Sequence, residues 1–144
     1  MIIADTGFWL VLANRRDRHH AAARAWLAGS DEGLVCTWPV VTECCHLLLA
    51  RLGAHAQNSF VASLRQGACE LFAVGREHLP RAERLMRDYA DLPMDFADAS
   101  LVILAESLGH GRILSTDERD VRAYRWQRHE PFQNLLLPDG SAEA

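Results

Sequence analysis

The feature that most restricts this chain is a recurring one: very short, wholly apolar runs that end on a hydroxyl or a carboxylate, separated by longer segments of helical periodicity. Ile2-Ile3-Ala4 runs into Asp5-Thr6, Leu34-Val35-Cys36 into Thr37, and Ile113-Leu114 into Ser115-Thr116-Asp117. Runs this short are strands rather than helices, and their lack of polar alternation means that both faces are buried. Strands of this kind alternating with helices predict an α/β fold of three layers, a short parallel sheet of four to five strands flanked by helices on both faces. In such sheets ligand sites form outside the carboxyl ends of the strands, where these hydroxyls and carboxylates fall.

The punctuation predicts the elements. A strand over Ile2–Ala4 leads to a helix over residues 7–14 with Thr6 as its cap, and a second helix covers residues 19–28. A strand over Leu34–Thr37 meets Trp38-Pro39, which opens a long helix, since proline is tolerated in a first turn. Gly53 ends it, a helix follows over residues 54–66, and Cys69 begins a third strand that reaches Val74. Helices over 79–89 and 96–108 precede a fourth strand at 113–115; a turn or short helix and a last strand between Phe132 and Leu136 close the chain. At 144 residues one domain is expected, spanning 1–137, with 138–144 as a flexible C-terminal tail.

Composition excludes several classes. Asp5 interrupts the first apolar run and no basic residue precedes it, so a leader is not expected. The apolar stretch from Val40 to Leu49 contains Thr42, Glu43 and His46 and is too short for a bilayer, so a cytoplasmic protein is expected, with no membrane partner. Cys36, Cys44, Cys45 and Cys69 sit in apolar runs and read as buried thiols rather than a disulfide framework or a metal knuckle. A net charge of −4 argues against indiscriminate nucleic-acid binding but leaves room for a local acidic metal site.

Four acids stand out. Asp5 and Asp117 follow apolar strands that, if parallel, deliver both to one sheet edge; singly, each is also an ordinary turn or capping residue. Glu43 is the only acidic residue between Glu32 and Glu70, inside the most apolar helix, on a face with Val40 and Leu47. A carboxylate there needs a cation, either a metal or an arginine brought by the tertiary structure, since Arg51 lies far along the same helix. Asp98 sits in the first turn of a helix that Asp95 caps, directly before the core stripe Ala99, Leu101, Val102 and Ala105. Oxygen-only donors from several elements suit magnesium or manganese rather than zinc.

The Asp-Thr pair after the first strand, the lone Glu43, the segment Met94-Asp95-Phe96-Ala97-Asp98-Ala99-Ser100-Leu101-Val102 and the Ser115-Thr116-Asp117 cluster resemble PIN-domain ribonucleases, in particular the VapC-type toxins of bacterial toxin–antitoxin pairs. The likeness runs from Met1 to about Leu137. It implies that Asp5, Glu43, Asp98 and Asp117 are catalytic and bind Mg2+ or Mn2+, with Thr6, Thr116, Asp95 and Asp120 in support. It implies further a divalent-metal-dependent endoribonuclease that leaves 5′-phosphate ends on a tRNA, rRNA or mRNA substrate, a cognate antitoxin protein, and a homodimer. Val121 after Asp120, where phenylalanine is common, and Ser115, where threonine is common, depart from the pattern.

Two other readings compete. A histidine ribonuclease would need paired imidazoles, and His19 and His20 at a helix start are the sole adjacent two. A catalytically silent PIN-like module that binds RNA or protein would use Arg119, Arg122, Arg125 and Arg128, which recur every three residues, though Glu118, Asp120 and Glu130 balance them as an exposed stripe would.

Overall fold

The computed structural model describes residues 1–137. Five parallel strands form one sheet in the order β3-β2-β1-β4-β7, from β1 (Ile2–Ala4), β2 (Leu34–Thr37), β3 (Glu70–Phe72), β4 (Arg112–Leu114) and β7 (Gln133–Asn134). Ile2, Ile3 and Ala4 are fully buried, because β1 is the central strand with helices above and below it. The expected three-layer α/β architecture is therefore what the chain adopts. The expected tail from Pro138 lies outside the described residues.

The helices are α1 (Thr6–Ala13), α2 (His20–Gly29), α3 (Trp38–Leu52), α4 (Ala54–Arg65), α5 (Leu79–Asp88), α6 (Phe96–Leu108) and α7 (Glu118–Ala123). α6 buries every residue from Ala99 to Ala105, since it packs between α3, α5 and the sheet; its apolar run has no polar face because none meets solvent there. Gly109 ends it at φ 78°, a left-handed conformation that glycine adopts without Cβ strain.

Several local expectations change. Asp5, not Thr6, is the N-cap of α1: its Oδ1 accepts the Thr6 N–H at 2.6 Å, which frees the Thr6 hydroxyl for another use. The third strand pairs only over Glu70–Phe72. Ser115 lies just past β4. An antiparallel pair, β5 (Arg125–Trp126) with β6 (Glu130–Pro131), was not expected; its turn holds Gln127 and Arg128 at φ 48° and 72°, a signal that glycine or asparagine would normally give.

The chain runs outward on one side of β1 through β2 and β3, then returns to build β4 and β7 on the other side. The order thus reverses at β1, and a crevice opens beyond the carboxyl ends of β1 and β4. That crevice is where Asp5 and the Ser115-Thr116-Asp117 segment emerge.

Candidate active site

Asp5 is the centre of the crevice. Its backbone N–H donates to the Leu114 carbonyl at 3.1 Å, tying the ends of β1 and β4 together. Its Oδ2 accepts the Ser115 hydroxyl at 2.8 Å, and the same hydroxyl oxygen accepts the Asp117 N–H at 3.0 Å. Ser115 is in turn clamped by Asn134 of β7, whose Oδ1 accepts the Ser115 N–H at 3.2 Å and whose Nδ2 donates to the Ser115 carbonyl at 2.9 Å. A wholly buried serine therefore sets the direction of the central carboxylate. Sequence reasoning missed this role for Ser115 and Asn134; the hydroxyl in the Ser-Thr-Asp cluster was the available signal for the first, and the second had none.

The other acids come from helix starts and one helix interior. Asp95 and Asp98 form a reciprocal cap: the Asp98 N–H donates to Asp95 Oδ1 at 2.8 Å, and the Asp95 N–H to Asp98 Oδ2 at 3.2 Å. Asp98 thus completes the cap and also lies within reach of the Asp5 charge. Its Oδ2 also accepts the hydroxyl of Tyr124 at 3.3 Å, and the Tyr124 ring meets Tyr89 edge-on at 5.1 Å. Asp117 caps α7, its Oδ1 accepting the Asp120 N–H at 3.2 Å. Glu43 is half-buried on α3.

Electrostatics show that these groups face one another. Burial raises the Asp5 carboxyl above its ordinary range, against the lowering effect of the Ser115 hydroxyl and the Thr6 N–H, with Asp117 and Asp95 adding to the rise. Glu43 is raised by burial, with the charges of Asp95 and Asp5 adding to it. Asp98 is pushed up to about 8, first by burial and then by Asp95 and Asp5. Asp120 is pushed up to about 6 by burial and by Asp117. Among the described residues none of Asp5, Glu43, Asp98 or Asp117 has an arginine or histidine partner. The Arg51 pair considered for Glu43 does not form.

Three observations test whether this set suits a divalent cation. The donors are all oxygens, carry excess negative charge and lack a counter-ion. The Thr6 hydroxyl, beside Glu43, is buried without a hydrogen bond of normal geometry. A cavity of about 20 Å³ has room for roughly one water-sized species; Asp5, Asp98, Asp117, Asp120 and Tyr124 line it together with apolar residues such as Leu101, Val121 and Phe132, while Glu43 stands outside it. Among the described residues no three acidic, histidine or cysteine side chains close on a common centre. The residues fit the group.

Thr116 lies against the start of α1: a Cβ on Gly7 would fall on its hydroxyl, so glycine lets α1 approach the loop after β4. The rivals fare less well. His20 Nδ1 bonds to the Val11 carbonyl at 2.7 Å and His19 Nε2 to Arg18, so neither imidazole pairs with the other. The arginine stripe is broken, because α7 ends at Ala123. Arg122 pairs with Glu118, Arg125 turns onto the carbonyls of Arg122 and Tyr124, and Arg128 sits in the β5–β6 turn. Cys36, Cys44 and Cys69 are buried free thiols, as expected, and Cys45 is half-buried. No described helix is long and apolar enough to cross a membrane.

Comparison with known proteins agrees with this fold. The PIN domain family model matches residues 2–126. The chain is 32% identical over 124 residues to Ribonuclease VapC26 of Mycobacterium tuberculosis, a match that covers 86% of this chain and 92% of that protein. Its fold is similar to the crystal structure of Mycobacterium tuberculosis VapC20, described as a Sarcin-Ricin loop cleaving toxin, with a TM-score of 0.77 at 22% identity over 91% of this chain and 100% of the other. A parallel sheet whose strand order reverses at its central strand, acids gathered beyond that strand's end, and a family match across most of the length lead to one conclusion: the chain belongs to the PIN-domain family.

Proposed function

We propose that this protein is a divalent-metal-dependent endoribonuclease and the toxin of a toxin–antitoxin pair. The observation that carries the reading is the unneutralised acid set around Asp5, raised by burial and mutual repulsion at the switch point of the sheet. Likeness to Ribonuclease VapC26 supplies the substrate class. Asp5, Glu43, Asp98 and Asp117 would hold Mg2+ or Mn2+, which when bound lowers the pKa of a water and offsets charge on the phosphoryl group. Ser115 fixes the orientation of Asp5, and Tyr124 that of Asp98, so that the carboxylates meet the ligand with little reorganisation. Asp95 and Asp120 add negative charge at the rim, and Thr6 offers a neutral oxygen beside Glu43. Hydrolysis at such a site uses water as the nucleophile and needs no 2′-hydroxyl from the RNA.

A cognate antitoxin would restrain the enzyme by covering the acidic crevice, with an arginine satisfying the carboxylates that lack a cation. A cytoplasmic homodimer is the assembly proposed. The test is RNA cleavage by purified protein in magnesium or manganese, with EDTA as control, beside Asp5→Asn and Asp98→Asn. Cleavage that both variants and EDTA abolish is expected. Full activity in either variant refutes the assignment, and RNA binding without cutting under every condition points to the silent module.

A further inference from the structure

A second feature adjoins the acids. Trp38 is the first residue of α3, the helix that carries Glu43, and Phe96 is the first residue of α6, the helix that carries Asp98. Both rings are exposed, at 51% and 37%. Both border one open groove of about 670 Å³, whose wall also includes Pro39, Glu43, His46 and Asp95. Among the described residues neither ring packs against another aromatic ring, unlike Phe8, Trp9 and Phe60 in the core.

Large aromatic side chains left in water at a helix start contribute little to folding, so an occupant of the groove is the natural account of both. Three things favour a nucleobase. The groove is continuous with the acid site, since Glu43 and Asp95 line its wall. Its two exposed rings are aromatic, whereas the exposed aliphatic residues of α3, Leu49 and Leu52, lie roughly 16 Å or more along the helix from Trp38. Thr42 and His46 continue the Trp38 face of α3 at helical spacing and supply polar groups for a base edge or a phosphate.

We propose that Trp38 and Phe96 form a stacking platform that holds one unpaired RNA base beside the phosphodiester hydrolysed at the acid site. This rests on the ribonuclease reading. Aromatic faces accept any base, so the platform holds the strand in register and leaves base identity to other contacts.

The test uses Asp98→Asn protein, which should not cut, with a short single-stranded RNA and the same strand carrying one abasic position. Binding is followed by anisotropy and by quenching of tryptophan emission. Adding Trp38→Ala should weaken binding by about 5- to 150-fold, the range for loss of one stacked base, and Trp38→Phe should recover most of it. Phe96→Ala should act in the same direction, and the abasic strand should bind weakly and be indifferent to position 38. Binding within about twofold of the parent for both alanine variants overturns the platform. A change in sedimentation from dimer to monomer on Trp38→Ala, with RNA affinity unchanged, also overturns it and assigns the groove to a second copy. Cleavage by the parent enzyme is measured alongside. Cutting that persists while the alanine variants bind normally refutes the platform alone, whereas absence of both cutting and binding removes both readings.

Discussion

Asp98→Asn should stabilise the metal-free protein while abolishing its activity. Asp98 sits at about 8 in the folded chain, against about 3.9 when unfolded. Between those values the folded state binds more protons than the unfolded state, so stability is complete below the unfolded value and is lost as pH rises toward the folded one. Taken alone, that displacement costs about 4 kcal/mol at pH 7. The same repulsion is shared with Asp95 and Asp5, and water reaches part of the carboxyl, which reduces the recoverable amount to about 1–2 kcal/mol. Against this, asparagine forfeits a favourable first-turn charge of about 0.3–1 kcal/mol, in proportion to the ionised fraction of Asp98, which reaches about half near pH 8. Its carbonyl still accepts from the Asp95 N–H or the Tyr124 hydroxyl, so the cap survives. The balance is a gain of about 1 kcal/mol, or about 3–4 °C in Tm for a domain of this size. Thermal melts in EDTA from pH 5 to pH 8 read it directly. The parent should lose stability across that range and the variant should change less, so the two diverge most at pH 8. Magnesium should then raise the parent and leave the variant unmoved, because a ligand stabilises only the state that binds it. A variant that melts below the parent in EDTA at pH 8 refutes the electrostatic account.

Ser115→Ala removes the hydroxyl that bridges Asp5 and the Asp117 N–H; cleavage should fall by about 10- to 100-fold, and Ser115→Thr should restore it. Initial rates on one RNA substrate check this. Gly7→Ala gains about 1 kcal/mol in helix propensity but drives a methyl onto the Thr116 hydroxyl, an overpacking cost of about 1–3 kcal/mol. Urea titration should therefore show a net loss of up to about 2 kcal/mol. Glu106 accepts both Arg81 Nε and Nη2, at 2.9 and 2.8 Å, and the Gln127 N–H at 2.7 Å, so it fastens α6 to α5 and to the β5–β6 turn. Glu106→Ala should cost about 2 kcal/mol in urea while leaving the response of Tm to magnesium unchanged.

The sequence by itself determined the α/β class, because apolar runs of three or four residues can only be strands buried on both faces. It also determined that Asp5 and Asp117 leave strands at the same sheet edge, and that Glu43 lacks a local partner. Asp95 and Asp98 were legible as a cap because that motif depends on a spacing of three residues. Tertiary structure decided the rest. Strand order put β4 next to β1, which is what places Ser115 against Asp5, 110 positions apart in the chain. No local pattern encodes that contact, since it depends on which strands pair. Asn134 and Tyr124 reached the site in the same way, through the late pairing of β7 with β4 and the fold-back of β5. The three-residue spacing of the arginines suggested one exposed stripe, yet α7 stopped at Ala123 and the β5–β6 turn redirected Arg128. Periodicity reports what a regular element would do; where the element ends is set by what it packs against.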